Sequence, residues 1–125
     1  MKRKPKILVV DDDVDLVAVM KGTLEGKPYE VVVAYNGKEG LEKAKKEKPD
    51  LIILDIMMPV MDGFNFAEQF SKDASLVKIP VLALTSFSDS LGQPFPFQVS
   101  EYIRKPLKPK ELIAKVEEHL KRKGL

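Results

Sequence analysis

Four short apolar runs recur along the chain: KILVV at 6–10, EVVVAY at 30–35, LIIL at 51–54 and VLAL at 81–84. Each is rich in β-branched residues or leucine with little alternation, the pattern of strands covered on both faces of a parallel sheet. A weaker fifth run, EYIR at 101–104, carries the same reading. Between the runs the apolar spacing becomes helical. DLVAVMKGTLEG sets Leu16, Val17, Met20 and Leu24 on one stripe and stops at a glycine. NGKEGLEKAKKEKP opens on Asn36 with Glu39 three residues later, a capping-box arrangement, and halts before Pro49. GFNFAEQFSKD offers Phe66, Ala67 and Phe70 as an apolar face. KPKELIAKVEEHLKRKG places Pro109 at a first helical position and lines up Leu112, Ile113, Val116 and Leu120.

Strands alternating with helices predict an α/β domain with right-handed crossovers and helices on both faces. Five such units in 125 residues predict one domain over 1–125. Its expected core is a flavodoxin-like, doubly wound five-stranded parallel sheet in the order 2-1-3-4-5. Ligands of such sheets bind beyond the carboxyl ends of the strands, where the strand order switches. One segment breaks the alternation. SFSDSLGQPFPFQVSEYI (86–103) should hold the fourth helix, yet it carries Gly92, Pro94 and Pro96 and a poor apolar rhythm. That helix is expected to be short, irregular or absent.

Composition narrows the class without naming a function. Hydrophobic content of 44% and charged content of 32% describe an ordinary globular protein. A net charge of +2 gives no electrostatic case for nucleic-acid or membrane binding. The lysines clustered at both ends read as solvated termini, and His119, alone of its type, reads as a solvated residue of the last helix. The absence of cysteine removes disulfides and thiolate metal sites and suits a reducing cytoplasm. No apolar run approaches the roughly 18 residues of a membrane span.

The strand ends carry the chemistry. The first run leads into Asp11, Asp12 and Asp13, the third into Asp55, the fourth into Thr85 and Ser86, and the fifth reaches Lys105. Carboxylates gathered at one sheet edge repel and are costly to bury without a proton or cation. Oxygen ligands without histidine or cysteine favour a hard divalent ion, with Mg²⁺ held by one or two carboxylates the best fit. A lysine and a hydroxyl at the same edge imply an anion as well. Together these groups suit phosphoryl transfer to an aspartate, which forms an acyl phosphate while cations and donors hold the phosphoryl oxygens.

KILVVDDD, DLIILDIMMPVMDGF, ALTS and YIRKPL, in this order and spacing, resemble the receiver domain of two-component response regulators over nearly the whole chain. The resemblance implies that Asp55 is the phosphoacceptor and that Asp12, Asp55 and the main-chain carbonyl of Met57 hold Mg²⁺, with Asp11 acting through water. It implies Thr85 as the switch hydroxyl, Tyr102 as the switch aromatic and Lys105 as the family's lysine. The implied partners are a sensor histidine kinase or histidine phosphotransfer protein, which donates the phosphoryl group, and an unidentified output protein. Direct nucleic-acid binding and membrane association are not expected. Met57 and Phe87, each two residues past a site residue, predict a long-lived phosphoryl state.

Bland roles compete with each assignment. Asp13 or Asp15, and Asp11 as well, suit capping of the first helix. Asp55 alone suits a strand-end turn, and Lys105 alone a surface position. A flavin reading of the same fold conflicts with three aspartates where a phosphate would sit. The chemical rival is an Asp-nucleophile phosphatase resembling the haloacid dehalogenases; the Asp11–Asp13 spacing matches its Asp–x–Asp, but Asp55 is followed by Ile56 and Met57. The expected role is therefore regulatory, with catalysis limited to the domain's own phosphorylation and dephosphorylation. Within 86–103, PFPFQVSEY keeps two phenylalanines and a tyrosine at the spacing of a Pro–Phe–x–Phe subset of single-domain receivers but lacks that subset's Ala–Thr–Gly. Phe95, Phe97 and Tyr102 are its partner-binding candidates.

Overall fold

The computed structural model describes residues 4–56, 63–85, 100–105 and 108–124. Its strands fall on the apolar runs: β1 (Lys6–Val10), β2 (Glu30–Ala34), β3 (Leu51–Asp55), β4 (Val81–Thr85) and β5 (Glu101–Arg104). The helices described are α1 (Val14–Glu25), α2 (Gly37–Glu47), α3 (Gly63–Ser71) and α4 (Pro109–Arg122). All strands are parallel in the order β2-β1-β3-β4-β5, the flavodoxin-like doubly wound arrangement. The segment expected to hold an irregular helix lies, over 86–99, outside the described residues.

Period-two alternation divides the strand side chains between two cores. Leu8, Val10, Ile52, Leu54 and Ala83 point to one face, where Leu41 and Ala44 of α2 and Phe66 and Phe70 of α3 cover them. Ile7, Val9, Ile53, Leu82 and Leu84 point to the other, against Val17, Met20 and Leu24 of α1 and Leu112, Val116 and Leu120 of α4. The Phe66 and Phe70 rings stack with centroids 5.6 Å apart, as residues four apart on one helix face can. Because both faces are covered, β1, β3 and β4 need apolar residues at nearly every position, which is why no alternation showed in sequence.

Local signals set the helix ends. Asp13 caps α1, its carboxylate accepting from Leu16 N–H at 3.1 Å. Asn36 caps α2 by accepting from Glu39 N–H, while Glu39 reaches back to accept from Tyr35 N–H. Pro109 opens α4, where a missing N–H costs no helical bond. Among the described residues no helix is long and apolar enough to cross a membrane.

One expectation fails here. His119 is 4% exposed, not solvated, and Leu112, Val116 and Leu120 share its buried side of α4. Its Nε2 lies 3.0 Å from Glu101 Oε1, and Glu101 also pairs with Lys115, so a three-residue polar cluster joins α4 to β5. Leu16, counted with the buried stripe of α1, is half-buried.

Candidate functional site

Strand register brings the chemistry together. Val10 lies opposite Leu54, so Asp11 and Asp55, the next residues of each strand, emerge side by side. Asp55 aligns with Leu84, and Thr85 with Arg104, which sets Lys105 one residue beyond the β4 end. Backbone bonds fix the positions: Asp11 N–H donates to Ala34 O at 3.1 Å and Lys105 N–H to Thr85 O at 2.8 Å. Asp11, Asp55, Thr85 and Lys105, four of the residues expected at this edge, are thus gathered there.

Lys105 Nζ stands 3.3 Å from Asp11 Oδ2 and 3.3 Å from Asp55 Oδ2. Asp11 is fully buried and Asp55 and Thr85 nearly so, whereas Asp12 is exposed at the rim. Asp11 Oδ1 accepts from Asp13 N–H at 3.0 Å, which fixes the carboxylate plane. Among the described residues its Oδ2 receives no hydrogen bond, although it is within ion-pair distance of Lys105. A buried carboxylate oxygen held by a distant ammonium alone is costly, which leaves this atom open to a further cation.

The electrostatics follow from that geometry. Burial pushes the Asp11 carboxyl up to about 6, reinforced by the neighbouring Asp55 charge and opposed by Asp13 N–H and Lys105. Burial works against the Lys105 ammonium, but Asp11 and Asp55 outweigh it and hold its pKa above the ordinary lysine value. Asp11, Asp12 and Asp55 each offer a carboxylate oxygen, all within 4.8 Å of one another. Among the described residues, Lys105 pairs with Asp11 and Asp55, while Asp12 stands exposed at the rim. An all-oxygen donor set with a donorless buried oxygen fits a hard divalent cation.

Other predicted residues lie elsewhere. Tyr102 alternates with buried Ile103 on β5 and is 42% exposed. Met57, Phe87, Phe95 and Phe97 lie outside the described residues. Asp50 went unnoticed in sequence, yet its buried carboxylate accepts from Lys6 N–H at 2.8 Å at the far end of the sheet. No local motif announces that role; only the β1–β3 pairing creates it.

Comparison with known proteins agrees with this arrangement. The family model described as the response regulator receiver domain matches residues 7–117. The chain is 37% identical over 119 residues to the alkaline phosphatase synthesis transcriptional regulatory protein PhoP of Bacillus subtilis, covering 94% of this chain and 49% of that protein. It is 33% identical over 121 residues to the DNA-binding response regulator MtrA of Mycobacterium leprae, covering 95% of this chain and 52% of MtrA. The chain thus spans about half the length of the curated relatives it matches. Among solved structures, chemotaxis protein CheY4 of Vibrio cholerae superposes with a TM-score of 0.81 at 30% identity, covering 92% of this chain and 98% of that one. A response regulator from Chloroflexus aurantiacus gives 0.85 at 30% identity, covering 94% and 98%.

Proposed function

Because the chain belongs to the response regulator receiver family, we propose that the acidic pocket is its phosphoacceptor site, with Asp55 as the nucleophile. The domain is regulatory, a signalling switch rather than an enzyme acting on an outside substrate. The observation that carries the site assignment is the Lys105 ammonium at 3.3 Å from Asp55, beside two further acids.

In this reading a phosphohistidine of a sensor kinase or phosphotransfer protein presents its phosphoryl group to Asp55. The Asp55 oxygen–phosphorus bond forms as the nitrogen–phosphorus bond breaks, and the electron pair stays on the imidazole. Lys105, held at this edge by its backbone bond to Thr85, offers its ammonium to the phosphoryl oxygens, and in this reading the Thr85 hydroxyl donates to another. Asp12, Asp55 and the Met57 carbonyl would hold Mg²⁺, with Asp11 acting through water. When bound, the ion supplies positive charge against the phosphoryl oxygens. Thr85 and Tyr102 are proposed to couple the acyl phosphate to a change in partner affinity, by biasing two pre-existing states. Residues 1–125 act as one receiver unit in the cytoplasm, and Phe95 and Phe97 complete a partner surface with Tyr102. PhoP and MtrA are named for transcription and DNA binding; here output is assigned to a protein partner of the receiver surface.

The test is transfer from a phosphohistidine-bearing donor in Mg²⁺. Wild type should gain an acid-stable, base-labile label that Asp55→Asn abolishes. Beryllofluoride with Mg²⁺ should shift backbone resonances around residues 11–12, 55, 85 and 105. Undiminished labelling of Asp55→Asn would reject the assignment, and sustained turnover of a phosphomonoester would favour a phosphatase.

A further inference from the structure

At the opposite end of the sheet, where β4 and β5 begin, the turn after α3 and the last turn of α4 enclose an open groove of about 440 Å³. Lys78 lines it from the turn, Arg122 and Lys123 line it from α4, and Ser100 and the His119 ring complete its polar wall. Val77, Ile79 and Pro80 form an apolar side. The volume lies within the range of small-molecule sites, but five of its eight described lining residues are polar or basic, which suits a charged ligand rather than an apolar one.

The charge of the groove is one-sided. None of its described lining residues is acidic. The nearby acids are engaged: Glu118 pairs with Arg122 at 2.9 Å, and Glu101 with His119 and Lys115. Lys123 Nζ donates to the Asp50 main-chain carbonyl at 3.1 Å. Basic residues in the last turn of a helix are expected from its dipole, which accounts for Arg122 and Lys123. It does not account for Lys78, which comes from a separate element and lines the same groove.

We propose that this groove is a second, anion-binding site for a small phosphate-bearing molecule, distinct from the acidic pocket. Lys78 and Lys123 offer point charges, and Arg122 has guanidinium donors beyond the one given to Glu118. The Ser100 hydroxyl can donate as well, while the apolar wall accommodates the rest of the molecule. The site has a route to the switch. Ser100 N–H donates to Val81 O at 2.8 Å as β5 begins, and His119 holds Glu101, the residue before Tyr102. An occupant would therefore bear on the placement of β5 against α4, and any resulting coupling to phosphorylation must be reciprocal.

The experiment is a backbone NMR titration of the metal-free protein with pyrophosphate at constant ionic strength, with citrate as a second arm. Saturable shifts confined to residues 77–80, 100–101 and 119–123 are expected. Lys78→Ala and Arg122→Ala should each weaken binding by about fivefold, the scale of one charge-assisted contact, while Lys38→Ala on α2 leaves it unchanged. All three residues are exposed, so the variants should fold, which an unchanged spectrum away from the groove verifies. Non-saturating shifts spread over the lysines, indifference to Lys78→Ala, or binding of citrate without pyrophosphate would each overturn the proposal.

Discussion

Lys105 Nζ lies 3.3 Å from Asp55 Oδ2, although 50 residues separate the two in sequence. The same ammonium reaches Asp11 at 3.3 Å, so one cation serves two buried carboxylates from β1 and β3. Lys105→Met should therefore destabilise the metal-free protein by about 2 kcal/mol, below the full cost of breaking a buried pair because the lysine is partly exposed. Mg²⁺ should restore more stability in the variant than in wild type, since the Lys105 ammonium no longer competes with it. Urea unfolding of both proteins with and without Mg²⁺ measures this. Equal metal-free stabilities would mean that Lys105 does not neutralise the pair.

Asp11 predicts a pH dependence of unusual sign for a carboxylate. Its pKa is raised from 3.8 to about 6 by burial and by Asp55. Between those values the folded state keeps a proton that the unfolded chain has lost. The Asp11 contribution to stability therefore falls as pH rises through this window, and its penalty is complete above about pH 6. The shift corresponds to at most about 3 kcal/mol. In EDTA, Asp11→Asn should gain stability over wild type progressively across the window and hold that gain at neutral pH. A stability difference that stays flat between about pH 4 and 7 would show that the group is not perturbed.

The strands and the site edge were legible because their signals are local. Unbroken apolar runs located β1, β3 and β4, since burial on both faces leaves no polar position to confuse the reading. Parallel order then implied that Asp11, Asp55, Thr85 and Lys105 share one edge, and register delivers them there. What stayed hidden depends on pairs distant in sequence. His119 falls three residues after Val116 and seven after Leu112, on the buried stripe, but its charged neighbours suggested solvent. Glu101, on β5, supplies the partner of the buried His119 Nε2. Asp50 is likewise intelligible only once β1 lies beside it. The donorless Oδ2 of Asp11 could not be read from residue type, because it depends on which oxygen Asp13 N–H takes.

Gly40 is required by contact, since a Cβ there would meet Val10 Cγ1 and Cγ2 at 2.9 Å each. Val10 is fully buried, and its β-branched side chain has few rotamers to yield with. Gly40→Ala gains about 1 kcal/mol of helix propensity but overpacks the α2–β1 contact by about 1–3 kcal/mol. A net loss of about 1 kcal/mol is expected. Since Val10 precedes Asp11, Mg²⁺ affinity should fall as well. Val10→Ala in the same chain should relieve the clash, so the double variant loses less than the two single losses combined. Additive losses in thermal or urea unfolding would place the cost elsewhere.

Lys48 ends α2 in a left-handed conformation, φ 48° and ψ 63°, with its N–H bonded to Ala44 O at 3.0 Å. This geometry satisfies an orphan helix carbonyl, but a side chain in it costs about 1 kcal/mol, which glycine avoids. Pro49 follows, so the helix cannot continue and the cap is fixed at this position. Lys48→Gly should therefore raise stability by about 0.5–1 kcal/mol, the relief of strain exceeding the extra freedom of glycine in the unfolded chain. Lys48→Val should lower it, because β-branching makes positive φ still less favourable. Lys48→Ala separates strain from charge: it keeps the Cβ, so it should gain little if strain is the cause. Matching gains for alanine and glycine in urea unfolding would assign the effect to the lysine charge among Lys45 and Lys46 instead.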